Sequence, residues 1–311
     1  MKHLFIINPR AGKKNSTVQL MEQIERLRQK HGIECEVVLT ARRGDAEHAA
    51  RRAAESGEDV RIYSCGGDGT LNEVADGAAG APRVEVTVIP VGTGNDFLKN
   101  YGEDSARFCD PEQLWDAPGH ELDLIECNGR VALTVVCAGL DARVADGVHQ
   151  YSKYPVMSGR GAYLASAGFN FFKQISNRMT ISYNGRTTMG EYSMVCVCNG
   201  RYYGGGFMPV ADARLDDGKL DTLIVRRVSR ATFLRLAPAY ARGEAWKFPE
   251  VARRVQTDRI RLQTKEPVAV SLDGEIVHLT DAVISLSDKK LRFFAPEGAS
   301  CNRTARTRTD K

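Results

Sequence analysis

The chain has 311 residues, 42% of them hydrophobic and 26% charged, an ordinary globular balance with length enough for two packed cores. A formal net charge of +4 is well short of what a dedicated nucleic-acid binder carries, so nucleic acid is not an expected partner, while phosphates and anionic membranes are compatible with it. None of the eight cysteines forms a C-x-x-C pair, and Cys196-Val197-Cys198 alternates as a strand does, which reads as two buried, reduced thiols on one face. Leu4-Phe5-Ile6-Ile7 is too short for a signal-peptide core and no window is apolar for long enough to cross a bilayer, so a cytoplasmic protein is expected.

In chain order, His3 to Asn8 reads as a buried strand stopped by Asn8-Pro9-Arg10-Ala11-Gly12. An amphipathic helix follows with apolar positions at Val18, Leu20, Met21, Ile24 and Leu27, ending before Gly32. Glu34 to Thr40 is the next strand, Ala46 to Ala54 an alanine-rich helix, and Val60 to Cys65 a third strand that runs into Gly66-Gly67. This βαβαβ order predicts a parallel sheet covered by helices, with ligand loops at the carboxyl ends of its strands. A short helix from Leu71 to Ala78, a strand from Glu85 to Pro90 and a loop at residues 91 to 97 extend that unit to about Pro118.

Beyond it the pattern changes to period-two runs separated by turn residues: Leu122 to Cys127, Val131 to Ala138, Met179 to Tyr183, Glu191 to Asn199, Lys219 to Val225, Arg259 to Gln263, Val268 to Leu272 and Ala282 to Leu286. Such spacing predicts a second, mainly antiparallel domain. Helical stretches are expected from about Gly161 to Gln174 and from Arg230 to Arg242. The domains expected are residues 1 to 120 and 121 to 288, with 288 to 298 able to return to the first, and a basic frayed tail from 299 to 311.

Loops rich in Gly, Asn and Thr follow three predicted strands, at residues 8 to 12, 66 to 73 and 92 to 96, and a parallel sheet would set them along one edge. Three glycines at a strand end let the backbone approach a phosphate, and the next helix offers it an N-terminus. Asp68 in such a loop would repel a bare phosphate; either a divalent cation lies between them, or Asp68 caps the helix in a tight turn. No G-x-x-x-x-G-K-[ST] occurs, and Gly92-Thr93-Gly94-Asn95-Asp96-Phe97 lacks the third glycine of the dinucleotide fingerprint. Asp273-Gly274-Glu275, between two apolar runs, carries the signal of a hairpin turn with a polar tip.

Asn8-Pro9-x-x-Gly12, Gly66-Gly67-Asp68-Gly69-Thr70-Leu71-Asn72-Glu73 and Pro90-x-Gly92-Thr93-Gly94-Asn95-Asp96-Phe97, in that order, resemble the successive motifs of the diacylglycerol kinase catalytic-domain family, which includes bacterial soluble lipid kinases and sphingosine and ceramide kinases. The likeness continues through Asp123, Gly139-Leu140-Asp141-Ala142, Asn199-Gly200, Gly204-Gly205-Gly206, Asp216-Asp217-Gly218-Lys219-Leu220 and Asp273-Gly274-Glu275, and so covers residues 3 to 296. It implies an α/β fold: a Rossmann-like parallel-sheet domain of the NAD kinase/diacylglycerol kinase type, then a mainly antiparallel β-sandwich domain. It also implies an ATP- and magnesium-dependent kinase that phosphorylates the hydroxyl of a lipid alcohol.

Carried over by position, the resemblance puts Asn8, Pro9, Arg10, Ala11, Gly12, Thr40, Gly66, Gly67, Asp68, Gly69, Thr70, Leu71, Asn72, Glu73, Thr93, Asn95 and Asp96 at the nucleotide. Asp68, Asp96 and Asp123 would surround the catalytic magnesium, Glu275 would be the general base, and Asp273 would share its catalytic turn. A second magnesium would sit on Asp217 and the carbonyls of Arg214 and Lys219.

The aromatic stretch from Tyr163 to Phe172 could line an acyl pocket or form core, and Arg42-Arg43, Arg226-Arg227 and Arg253-Arg254 could touch anionic headgroups or lie on solvated faces. Peripheral membrane contact is expected, and a homodimer is compatible with the sequence. The alternatives are a kinase of NAD, which shares the Gly-Gly-Asp-Gly-Thr loop, and a nucleotide-sensing membrane module without catalysis.

Overall fold

Runs of apolar residues between glycine-rich turns form the strands, and the two periodicities of the sequence segregate into two units. The computed structural model describes residues 1–12, 15–92, 94–140, 142–143, 146 and 175–301. Thr93, Asp141, the expected helix at 161 to 174 and the tail beyond Cys301 lie outside the described residues. One unit comprises Met1–Leu124 with Asp288–Lys311, and the other Ile125–Ser287.

In the first unit β1 (Lys2–Ile7), α1 (Ser16–His31), β2 (Cys35–Leu39), α2 (Asp45–Glu55), β3 (Val60–Gly66), α3 (Asp68–Ala78) and β4 (Val84–Pro90) alternate. The strands pair in parallel in the order β2-β1-β3-β4. β3 is buried along its whole length, as an interior parallel strand covered on both faces must be. Phe293, in the last stretch of β13 (Glu275–Phe294), pairs in parallel with Val86 of β4. The chain order reverses between β1 and β3, the crevice where such sheets bind ligands at their carboxyl ends.

α1 buries Leu20, Ile24 and Leu27 and stops at Gly32, which is left-handed (φ 62°) and donates its N–H to the Arg28 carbonyl. Val18 and Met21, read as part of the same apolar stripe, are exposed instead. α3 starts three residues earlier than the apolar pattern suggested. Gly67, in an extended conformation, accepts from the N–H groups of Thr70 and Leu71, so Asp68-Gly69-Thr70 is the first helical turn. From Phe97 to Cys109 the chain forms 3-10 turns.

Buried His3 on β1 bonds the Tyr63 hydroxyl at 2.9 Å. Burial, and then the Arg61 cation, lower its pKa from 6.5 to about 4. Because the folded value lies below the unfolded one, stability is complete above pH 6.5 and is lost as pH falls from there toward 4. The shift corresponds to about 3 kcal/mol. His3→Leu is therefore expected to flatten the fall in urea-unfolding free energy over that window relative to wild type; parallel curves would refute the assignment.

The second unit is antiparallel throughout its paired strands. β5 (Gly119–Cys127) leads into it and pairs with β6 (Arg130–Ala132). β7 (Val135–Gly139), β8 (Asn177–Tyr183), β9 (Arg186–Cys198), β10 (Leu220–Arg226), α4 (Arg230–Ala241), β11 (Ala252–Thr257) and β12 (Arg259–Leu272) follow, and β13 begins at Glu275. The spatial order β11-β10-β9-β7-β12-β13 is joined by β8, which pairs with both β9 and β12. One core holds Val136, Ile181, Val195, Val197 and Ile284; a second holds Cys137, Cys196, Cys198, Leu223 and Tyr240. Cys196 and Cys198 thus share a buried face, and Cys196 Sγ lies 3.2 Å from the Tyr240 hydroxyl. The expected strand from Val131 to Ala138 is broken at Leu133-Thr134, and the two expected from Arg259 to Leu272 are one strand with a register shift between Gln263 and Val268.

Candidate active site

The three glycine loops of the first unit converge. The Asn8 amide donates to the Cys65 carbonyl at 2.9 Å, and its side-chain amide reaches Thr70 Oγ1 at 3.4 Å. The Gly66 carbonyl accepts from both Val91 and Gly92 at 3.0 Å. A Cβ on Gly92 would stand 2.7 Å from the Gly67 Cα, and one on Gly12 (φ +76°) would stand 2.3 Å from the Val91 carbonyl oxygen. Only glycine permits this backbone-to-backbone approach, so these positions build the concavity rather than merely turn the chain.

Asp68 ties two of the loops together. Its Oδ2 accepts from the Asp96 amide at 2.9 Å and its Oδ1 from the Phe97 amide at 3.1 Å. It is therefore not the helix cap: Gly67 holds that position. Asn95, left-handed at φ 45°, donates to the Gly92 carbonyl at 2.7 Å and closes the loop on itself. Arg10 donates its amide to Asn8 Oδ1 at 3.0 Å, an Asx turn that shapes the first loop, where Pro9 is exposed and Ala11 bonds back to the Asn8 carbonyl. The Thr40 amide bonds the Ile7 carbonyl, next to that loop.

Thr70, Leu71, Asn72 and Glu73, also expected at the nucleotide, follow Asp68 in the first turns of α3. Leu71 is in the core, and Thr70 and Asn72 are buried. Glu73 Oε2 accepts from the Ala46 amide at the start of α2, at 3.3 Å. Glu73 thereby ties α3 to α2, and Leu71 anchors it in the core.

The three aspartates expected around magnesium do not form a ready cluster; among the described residues no three His, Cys, Asp or Glu side chains are grouped to hold a metal. Buried Asp96 pairs with Lys99, and buried Asp123 pairs with Lys290. The donor set still suits magnesium, which takes oxygen ligands, keeps several waters and is usually bound by one or two carboxylates plus substrate phosphates. Sequence reading missed both lysines. Lys99 lies three residues after Asp96, a spacing at which helical side chains meet; no sequence signal links Asp123 to Lys290.

In the second unit the carboxylate hairpin is a two-residue turn. Leu272 pairs with Glu275, and Asp273 and Gly274 between them have φ 46° and 95°, the signature of a type I′ turn. Asp273 accepts from the amides of Leu133 (2.5 Å), Thr134 (3.1 Å) and Val135 (2.8 Å), and from the Thr134 hydroxyl. Burial lifts its carboxyl above the usual value against the pull of those donors. Asp273 is thus the clamp that fixes the turn, and Glu275, at the foot of the hairpin, pairs with Arg130. Asp217 lies in the turn before β10 with Gly218 at φ 71°, and its Oδ1 accepts from the Lys219 amide at 3.2 Å. Arg214 donates to Asp216 at 3.4 Å. Burial, and then the charge of Asp221, raise the Asp217 pKa, although the Lys219 amide opposes them.

The model of the diacylglycerol kinase catalytic domain matches residues 2–127, and that of the YegS C-terminal NAD kinase beta sandwich-like domain matches residues 134–295. A diacylglycerol kinase of Bacillus subtilis (strain 168) is 30% identical over 275 residues, 87% of this chain and 88% of its own. The chain belongs to the diacylglycerol kinase catalytic-domain family. It is accordingly an enzyme of the lipid-kinase class. A diacylglycerol kinase of Staphylococcus carnosus (strain TM300) is 29% identical over 87% of both chains. A solved structure described as a diacylglycerol kinase from Bacillus anthracis str. Sterne superposes with a TM-score of 0.68 at 20% identity, covering 96% of this chain and 98% of its own, which shows a shared fold.

Proposed function

We propose that this family member transfers the γ-phosphate of ATP, with magnesium, to the hydroxyl of a lipid alcohol such as diacylglycerol or a sphingoid lipid. The observation that carries the nucleotide half is the convergence of the loops at Asn8–Gly12, Gly66–Thr70 and Gly92–Asp96 at the carboxyl ends of parallel strands, with α3 opening at Asp68. Asn8 to Gly12, Thr40, Gly66 to Gly69, Thr93 and Asn95 are assigned to ATP. Asp68 and Asp96, with Asp123, are assigned to the magnesium, which would neutralise charge on the transferred phosphoryl group. Glu275, on a rigid turn, is assigned as the base that accepts the proton of the lipid hydroxyl. A second magnesium is assigned to the Asp217 turn, with the carbonyls of Arg214 and Lys219.

Labelled ATP offered with magnesium to diacylglycerol, sphingosine, ceramide, phosphatidylglycerol and NAD tests the acceptor. A labelled lipid supports the reading. Label in NAD alone, or ATP binding without any transfer, replaces it with one of the two alternatives.

The enzyme is also proposed to reach its substrate from the cytoplasm at an anionic bilayer. A cleft of about 510 Å³ in the second unit is lined by Tyr183, Tyr192, Trp246, Arg226 and Arg253, among others, and Trp246 is 70% exposed. An exposed indole in a cleft that Arg226, Arg253 and Arg254 also line suits a headgroup region, where each basic residue contributes about 1 kcal/mol. Reversing one charge in Trp246→Ala/Arg253→Glu should weaken binding to phosphatidylglycerol vesicles at least tenfold or so. Sedimentation that is unchanged from wild type would remove this surface from the account.

A further inference from the structure

We infer that Arg130 is a positioning residue for Glu275, holding the carboxylate in the orientation in which it meets the acceptor hydroxyl. The inference rests on the assignment of Glu275 as base.

Two hairpin ends meet at this pair. Arg130 follows the turn Asn128-Gly129, whose φ values of 49° and 86° make it type I′, with Cys127 and Arg130 as the closing pair. Glu275 follows the turn Asp273-Gly274, closed by Leu272 and Glu275. Each turn is fixed at its tip. The Asn128 side chain donates to the Asp281 carbonyl at 2.9 Å and accepts from the Val283 amide at 2.8 Å, while its own amide reaches the Val283 carbonyl. Asp273 holds the amides of Leu133 to Val135, and its own amide donates to the Val135 carbonyl at 3.0 Å. The three-residue strand β6, which begins with Arg130, is therefore anchored to the β13 hairpin on both sides.

Into that frame the Arg130 guanidinium donates through Nη2 to Glu275 Oε2. The arginine side chain is 42% exposed and the glutamate 17%. A pair this open to solvent adds little to folding stability. What it supplies is direction: a flexible carboxylate is given a cationic partner at a fixed place, and a base displaced by about 1 Å can lose ~10²-fold in rate. Arg130 makes this contact to the base, not to the reacting atoms, and so acts through Glu275.

Full-length Arg130→Met, Arg130→Lys, Glu275→Gln and the double variant Arg130→Met/Glu275→Gln are compared for ATP-dependent phosphorylation of diacylglycerol in mixed micelles with magnesium. Melting temperature and KM for ATP are measured alongside. Arg130→Met is expected to lower kcat roughly ten- to a hundredfold, with KM for ATP and melting temperature unchanged. Lysine should recover a good part of that loss, and the double variant should be no slower than Glu275→Gln alone. Should methionine lower the melting temperature, Arg130→Gln takes its place. A kcat within about twofold of wild type, a KM effect at constant kcat, or losses that multiply in the double variant would overturn the inference. If Glu275→Gln keeps the wild-type rate, it is the base assignment that falls, and the role of Arg130 falls with it.

Discussion

Glu275→Gln is expected to lower kcat for lipid phosphorylation by ~10²- to 10⁴-fold, the usual contribution of a positioned general base. The substitution preserves shape and keeps an oxygen beside Arg130, so the hairpin should survive. Its register depends on Asp273, whose carboxylate accepts from three consecutive amides, and on the turn itself. Nucleotide affinity should stay within about twofold, because every residue assigned to ATP lies in the other unit. Single-turnover phosphorylation with nucleotide binding measured in parallel separates the two. A variant that turns over normally would remove Glu275 from the chemistry; one that loses ATP binding would place it at the nucleotide instead.

Asp68→Asn should be nearly as damaging, by a different route. The carboxylate uses one oxygen for each of two successive amides, those of Asp96 and Phe97. An asparagine offers a single acceptor, and its NH₂ group must face the second amide donor to donor. Hydrogen bonds to a charged acceptor are worth about 1.5–3 kcal/mol each, and an unsatisfied donor costs a similar amount. The loop at residues 92 to 97 would loosen from the start of α3, and the charge proposed to face magnesium would be lost as well. We expect ATP affinity and kcat both to fall, with kcat/KM for ATP down at least a hundredfold or so, while the melting temperature moves by only a few degrees. An effect confined to stability would identify Asp68 as a structural tie alone.

The legible part of this molecule is the part governed by local rules. Gly32 ended α1 as expected because a left-handed stop needs glycine, and Asp273-Gly274 formed the two-residue turn that such a dipeptide favours. The convergence of three loops was readable because strands that alternate with helices pair in parallel and bring their carboxyl ends to one edge. Boundaries were less legible. Helix α3 took in Asp68, Gly69 and Thr70 because the Gly67 carbonyl captured the next amides, an event that apolar periodicity does not register. Strand β11 escaped notice, since the charges of Arg253 and Arg254 hide its alternation, although Arg254 reaches Asp221 and Asp212.

What sequence did not reveal was the partner of each acidic site residue. Arg130 and Glu275 stand 145 positions apart, and Asp123 and Lys290 stand 167 apart; only the strand order brings them together. These pairings matter for mechanism, because the carboxylates expected to gather about a metal each hold a lysine or backbone amides of their own.

Transfer of phosphate from ATP to a lipid hydroxyl can be followed by incubating the full chain with γ-labelled ATP, magnesium and micelles of each lipid of the acceptor panel, diacylglycerol first, and counting label in the organic phase, with Glu275→Gln alongside. Label in a lipid phosphate, absent with the variant, is the predicted result. Label that stays in water with the whole acceptor panel, while ATP is still bound, would contradict it.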